Sequence, residues 1–394
     1  MIYLDNASTT EPLKSITDNI EFIAKKYYGN PGSTHIAGKN SANIVDTARS
    51  YVAMAIGAEP DNIVFTGSAT EANNMAIRGW ASHLPQGSGK RYLIITSEVE
   101  HDSVRKSVEY VKSNYSDYID VVYVGVDEYG KVDIDAIEDI VSDNDYTTGL
   151  ISIMHVNNEV GAVNDIYAIQ RIADKVDWST HFDCTQSIGM EPVNVKDLDP
   201  DYITFSSHKI HGLKGTGALY IKNMETINPL IIGGHSQEYG MRGGTENVLG
   251  IWAFGEACKE IVHDPEQIMA QSVRDLYNLF CDELWKKTNG FTINGNRVGK
   301  IINLRFDGID GETLLLLLSN VGVCISAGSA CRSKLNVPSH VLTAMGLTPN
   351  ECRSSIRVSF SHMNTEDEVV KAADNIATFV SILRGEHRGE GVLL

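Results

Sequence analysis

Short apolar runs rich in β-branched residues alternate along this chain with segments whose apolar positions recur at helical spacing. "NIVFT" (62–66) precedes a segment in which Ala72, Met75, Ala76, Trp80 and Leu84 share one helical face. "YLIITS" (92–97) follows, then a helical segment from about Asp102, then "YIDVVYVGV" (118–126). The alternation continues through "GLISIMHV" (149–156), a helix near 165–176, "THFDCTQS" (180–187), "DYITFSS" (201–207) and "GALYI" (217–221). Runs without strict polar alternation, separated by helices, predict a mostly parallel sheet covered on both faces. The stretch "ITFSSHK…GTGALYI" reads as a local antiparallel excursion.

Around 225–265 the glycine-rich "IIGGHSQEYGMRGGTEN" breaks the rhythm, and Gln267 to Lys287 reads as a long helix. A smaller α/β pattern then resumes with "KIINLRF", "ETLLLLLSN", "VCISAGSAC", "SHVLTAMGL" and "SSIRVSFS". A final helix opens at Thr365, where Glu368 three residues on completes a capping-box pattern. Val369, Val370, Ala373, Ala377 and Val380 form its expected buried stripe. The pattern divides the chain near residue 260.

Composition narrows the class. At 394 residues the chain is long for one core and comfortable for two. A formal charge of −18 disfavours non-specific binding to nucleic acid or to an anionic membrane, which would repel it. "MIYLDNASTT" lacks a secretory pattern, and apolar runs such as Leu314 to Leu318 are too short to span a bilayer. The six cysteines include no C-x2-C pair, so neither a zinc knuckle nor a redox dithiol is supported. A cytoplasmic enzyme with free thiols is the expectation.

In doubly wound sheets a ligand sits beyond the carboxyl ends of the strands. Here those ends carry Gly67-Ser68-Ala69-Thr70 leading into a helix, His101, Asn157 and Asn158, Asp183 and Gln186, and finally Ser206, Ser207, His208 and Lys209. Small residues at a helix N-terminus offer N–H groups to a phosphate. A phosphate cradle, a carboxylate, a ring, amides and a lysine together meet the needs of pyridoxal phosphate. Its aldehyde takes a lysine, and a carboxylate keeps its pyridinium protonated. Each element also has a plain reading: a capped turn at 67–70, a capping Asp183, a surface His101, a turn at Asn157-Asn158-Glu159. The glycines of "HGLKGTGALY" precede a strand, the wrong order for a nucleotide loop. "GSGK" (87–90) lacks the other positions of a Walker loop. His208 and His211 have no nearby carboxylate or thiol in sequence to complete a metal site, so none is expected.

The motifs "YLDNASTT", "GNPGSTH", "IVFTGSATEANNMAIRG", "EVEHDSV", "SIMHVNNEVGAV", "HFDCTQSIG", "FSSHKIHGLKGTGALYI", "GGHSQEYGMRGGTEN", "SAGSACRS", "PSHVLTAMGL" and "SSIRVSFS" occur in this order over nearly the whole chain. In them the chain resembles the cysteine desulfurases of the NifS/IscS type, in the class V aminotransferase group of fold-type I pyridoxal-phosphate enzymes. The resemblance implies an α/β fold with a mostly parallel seven-stranded sheet in a large domain (15–260). A smaller α/β domain (1–14 and 261–394) would carry the loop of the catalytic cysteine. It implies that Lys209 tethers the cofactor, Asp183 pairs with the pyridine nitrogen, His101 stacks on the ring and moves protons, and Gln186 meets O3′. Ala69, Thr70, Ser206 and His208 would hold the phosphate, with Thr245 reaching it from the partner subunit of a homodimer. Asn158 and Arg357 would bind the substrate carboxylate, a task suited to the planar fork of arginine.

Cys331 would be the nucleophile that takes sulfur from L-cysteine, releases alanine and keeps a persulfide for an acceptor such as an iron–sulfur scaffold or thiolation protein. Arg332 and Lys334 flank it, and nearby positive charge favours a thiolate. The "GSAC" lead-in resembles the long-loop desulfurases. An aminotransferase or a C–S lyase would need Lys209 but not Cys331. A selenocysteine lyase and a sulfur-relay assembly subunit are also compatible with the same motifs. Cys184 stands where relatives have a smaller residue, and is considered as a second thiol near the cofactor.

Overall fold

The structure, a computed structural model, describes residues 1–87, 89–142, 145–234, 236–295, 299–327 and 337–386. β1 is the short strand Ile2–Tyr3. Seven strands follow: β2 (Ile63–Thr66), β3 (Tyr92–Ser97), β4 (Ile119–Val124), β5 (Thr148–Met154), β6 (Ser179–Asp183), β7 (Tyr202–Ser206) and β8 (Gly217–Ile221). They form one sheet in the order β2-β8-β7-β6-β5-β3-β4. Pairings from β7 through to β4 are parallel, and β8 runs against both of its neighbours. The antiparallel excursion is therefore β7–β8, with Ser206 opposite Gly217.

Strands β2, β3, β7 and β8 are buried along their whole length, as apolar runs must be when helices cover both faces. Neighbouring residues serve opposite faces: Phe65 and Ile95 join one apolar cluster with Val52 and Phe254, while Val64 and Ile94 join another with Met75 and Trp80. Leu84 stands just past the end of the helix Ala69–His83, as its C-cap, and still packs, partly buried, against the cluster of Ala72, Met75, Ala76 and Trp80.

The C-terminal part adds β9 (Thr292–Asn294), β10 (Ile301–Arg305), β11 (Val323–Cys324), β12 (Ser326–Ala327) and β13 (Ser355–Ser359). Four of these form an antiparallel sheet in the order β12-β13-β10-β9, and β11 pairs in parallel with β1. Leu4 thereby enters a cluster with Phe280, Ile302, Leu314, Val358 and Ile376. The capping box forms: Thr365 Oγ1 accepts from Glu368 N–H, and Glu368 Oε2 from Thr365 N–H. The stripe of that helix (Glu366–Leu383) is wider than expected, adding Ala372, Ile376 and Phe379, while Val370 is only half-buried. Among the described residues no helix is long and apolar enough to cross a membrane.

One buried ion pair ties the glycine-rich segment to the β2 edge of the main sheet. Arg49 donates to both carboxylate oxygens of Glu238, at 2.9 and 2.7 Å, and to Ile63 O at 2.6 Å. Glu238 in turn accepts from Phe65 N–H at 2.7 Å, so its carboxylate replaces a missing strand neighbour along β2. Glu238 and Tyr239 adopt φ of 43° and 58°, a left-handed conformation disfavoured for side-chain-bearing residues, which tertiary bonds must hold. Arg49→Met leaves Glu238 buried and unpaired, and should cost about 3–5 kcal/mol. Urea unfolding checks this. The double variant Arg49→Met/Glu238→Leu should regain part of the loss, because the buried carboxylate is gone and only the backbone groups Ile63 O and Phe65 N–H lose these partners.

Candidate active site

A cavity of about 410 Å³ opens beyond the carboxyl ends of the main sheet, and Lys209 lines it. The lysine sits on a single 3₁₀ turn, Ser207–Lys209, immediately after β7. Its Nζ donates to Ala7 O at 2.6 Å and to Ser8 O at 2.8 Å. The side chain is thus aimed by the N-terminal stretch, just over two hundred residues away in sequence.

Asp183 ends β6, lines the same cavity and is held from two sides. Thr185 N–H donates to Oδ1 at 3.0 Å, and Asn73 Nδ2 donates to Oδ2 at 2.8 Å. Asn73 also donates to Ser103 Oγ at 2.8 Å, which lies 2.7 Å from His101 Nδ1. Ser103 N–H donates to the same ring nitrogen at 3.1 Å. With Nδ1 occupied as an acceptor, the neutral His101 ring carries its proton on Nε2. A polar chain therefore runs from the carboxylate of Asp183 to the imidazole that caps the helix Asp102–Asn114.

The turn at 67–70 is a helix start, with Ser68 Oγ accepting from Glu71 N–H. The cap leaves the N–H groups of Ala69 and Thr70, both lining the cavity, at the positive end of the helix. A Cβ on Gly217 would come within 2.5 Å of Ser68 and 2.8 Å of Ala69 N, so β8 can pass beneath this turn only as glycine.

Arg357, on β13, reaches the cavity from the C-terminal part. It donates to Asn158 O at 2.7 Å, Asp5 Oδ1 at 2.8 Å and Ser8 Oγ at 2.6 Å, while its buried Nε has no partner among the described residues. Gln186 donates to Ala7 O at 2.8 Å, and its buried Oε1 likewise lacks a partner. His208 lines the cavity 3.1 Å from Thr9 Oγ1; burial, then Lys209, Lys214 and Lys300, push its ring down to about 4, so it is neutral.

Ala69, Thr70, His101, Asn158, Asp183, Gln186, His208, Lys209 and Arg357 thus meet at one cavity. Ser206 and Thr245 are placed elsewhere. Ser206 is buried with its hydroxyl toward Thr216 O, and Thr245 is exposed at the rim of a different cavity beside Gly215 and Arg242. Cys331 lies outside the described residues. Cys184 is packed in the main apolar cluster instead of facing the cavity, and burial pushes its thiol well up, so it is not poised as a second reactive thiol.

The sequence pattern assigns no role to Asn73, Asp5, Ser8 or Glu100. Asn73 is detectable as a polar residue beside Ala72 in an otherwise apolar stripe. Glu100 is fully buried; Oε1 accepts from Ser97 Oγ at 2.6 Å and Met154 N–H at 3.1 Å, and Oε2 has no partner.

The sequence model of the family described as aminotransferase class-V matches residues 2–371. The chain belongs to that family. "Cysteine desulfurase IscS" of Dictyoglomus turgidum is 37% identical over 97% of this chain and 95% of its own. A solved structure titled "NIFS-LIKE PROTEIN" superposes with a TM-score of 0.85 at 32% identity, covering 97% of this chain and 99% of that one. Another, titled "SspA in complex with cysteine", gives 0.78 at 31% identity, covering 93% and 100%. Class-V members use pyridoxal phosphate, and the cavity fits it. A fixed carboxylate, an amine and a helix N-terminus converge there, and Gln186 Oε1, Asn73 Oδ1 and Arg357 Nε are buried without partners among the described residues.

Glu100 makes the site's stability depend on pH. Burial above all pushes its carboxyl from 4.5 to about 8. Between those values the folded chain holds a proton that the unfolded chain releases, so this group's contribution to stability falls as pH rises through the window. Glu100→Gln cannot titrate. Relative to wild type it should gain on the order of a few kcal/mol between about pH 5 and pH 8.5, as measured by urea unfolding at each pH.

Proposed function

We propose that this chain is a pyridoxal-phosphate-dependent cysteine desulfurase that converts L-cysteine to L-alanine and holds the sulfur as a persulfide on Cys331. The observation that carries this reading is the convergence of the Lys209 amine, the Asp183 carboxylate, the His101 ring and the Arg357 fork on one cavity. Pyridoxal phosphate, when bound, supplies an electron-accepting ring that weakens the bonds around the substrate Cα and Cβ. Lys209 holds its aldehyde, Asp183 its pyridine nitrogen and Gln186 its O3′. Ala69, Thr70, Ser206 and His208 hold its phosphate. Thr245 reaches that phosphate from the second subunit of a homodimer, a role supported by its exposure and its place outside the cavity of its own chain.

Arg357 and Asn158 receive the substrate carboxylate. Arginine has five N–H donors, and the bonds to Asn158, Asp5 and Ser8 engage three. Lys209 Nζ and His101 Nε2 are the atoms that accept and return protons. Cys331 attacks the substrate sulfur: an S–S bond forms, the Cβ–S bond breaks, Cβ gains a proton and alanine leaves. A sulfur-acceptor protein of the iron–sulfur scaffold or thiolation kind, in the cytoplasm, then takes the persulfide. The division into domains 15–260 and 1–14 with 261–394 is supported by the separate apolar clusters, Leu4 belonging with Phe280 and Val358.

Persulfide and alanine formation from L-cysteine test the proposal. Cys331→Ser should keep the cofactor absorbance and bind L-cysteine, yet lose persulfide and slow alanine release by roughly a hundredfold or more. Lys209→Ala should lose covalent cofactor attachment. Alanine or sulfide release by Cys331→Ser at the wild-type rate would make the chain a C–S lyase instead.

A further inference from the structure

A second cavity, of about 50 Å³, shares Lys209 with the first and is otherwise lined largely by apolar residues such as Leu13, Val273 and Phe360. Lys300 lines it too. This lysine is only 7% exposed, and its amine makes no hydrogen bond or ion pair with any described residue. Its backbone is pinned: Lys300 O accepts from Phe360 N–H, and the next residue, Ile301, pairs with Ser359 across β10 and β13. A buried ammonium without a carboxylate is costly. Two cations act on it, Lys209 and Arg357, and the second is already neutralised by Asp5 at 2.8 Å.

We propose that Lys300 is a positioning residue for Lys209: the two amines, facing one cavity with no carboxylate paired to Lys300, hold one positive charge between them, so that a proton lost at Lys209 Nζ is balanced by one gained at Lys300 Nζ. In the cofactor-free chain Lys209 is the better place for that charge, because Ala7 O and Ser8 O accept from it and Lys300 has no acceptor. Burial, then Lys209 and Arg357, push the Lys300 ammonium down to about 7. The other titratable groups at this cavity do not compete for the charge. His211 is pushed down to about 4 by burial first, as is His208 beside Lys209. Glu260 lines the cavity but acts on His362, whose ring burial pushes down. When Lys209 becomes uncharged, as an amine must to act as a nucleophile or base, the repulsion on Lys300 is relieved and Lys300 takes up a proton. Charge in this buried region then stays constant while Lys209 works. The functional meaning rests on Lys209 as the cofactor-holding amine, but the coupling itself can be read without cofactor.

The experiment follows the 13Cε signal of Lys300 against pH in the cofactor-free full chain labelled in lysine, the signal being assigned by its loss in Lys300→Met, or in Lys300→Arg if that variant does not fold. In wild type Lys300 should titrate near neutrality. In Lys209→Met its midpoint should move up by about one pH unit, whereas Lys209→Arg, which keeps the charge, should leave it where it was. A midpoint near that of an ordinary lysine, about 10.4, would overturn the proposal. So would a midpoint unmoved in Lys209→Met, or moved equally in Lys209→Arg. Failure of the desulfurase assay would leave these titrations as they are, so the two readings can fail separately.

Discussion

The stretch Asp5 to Thr10 is hydrogen-bonded to both halves of the molecule, and the site exists only where those bonds meet. Toward the C-terminal sheet, Asn6 Nδ2 donates to Ser359 O, Ala7 N–H donates to Ser359 Oγ, and Arg357 donates to Asp5 and Ser8. Toward the main sheet, Lys209 and Gln186 donate to carbonyls of Ala7 and Ser8, and Thr10 N–H donates to His208 O. A segment with no regular structure of its own must satisfy its backbone groups elsewhere. Here its carbonyls do so by fixing the amine, and its side chains by fixing the guanidinium. Lys209 and Arg357 come from different halves of the chain, yet both are set by the same few residues.

This arrangement explains what the sequence disclosed and what it hid. Strands such as Tyr92–Ser97 and the cap at Thr365 were legible because their causes are local: a continuous apolar run, or two residues three apart. The order of the strand ends was legible for the same reason, since unusual residues follow each apolar run. The bonds that turn those residues into a site were not. Asn73 and Asp183 are 110 positions apart, and Arg357 and Asp5 are 352 apart. No periodicity links such pairs. Ser206 ends a strand that is buried throughout, and its hydroxyl lies 3.4 Å from Thr216 O, a bond that the order of residues after β7 does not announce. The stripe of the final helix widened because that helix packs on both the long helix Ile268–Lys287 and the helix Gly311–Asn320, which a single-face reading cannot anticipate.

The bulk charge misleads about the site in the same way. The chain carries −18 overall, yet Lys209 and Arg357 both line the active-site cavity, and Asp5 pairs with Arg357. A strongly acidic surface with a cationic interior repels polyanions at long range while still holding a small anion once it is inside. A phosphate and a carboxylate are such anions, and the helix start at Ala69 adds to the same field.

His101 shows how such a site limits its own chemistry. Its ring is exposed, so solvent alone would leave both nitrogens free to exchange roles. Ser103 removes that freedom, since its N–H and its hydroxyl both address Nδ1, and the hydroxyl is itself oriented by Asn73, which donates to it. Asn73 is oriented in turn by Asp183, the acceptor of its other proton. Through two neutral side chains the carboxylate of Asp183 thus sets which nitrogen of His101 carries the proton of the neutral ring, and it does so without placing a second charge beside the imidazole.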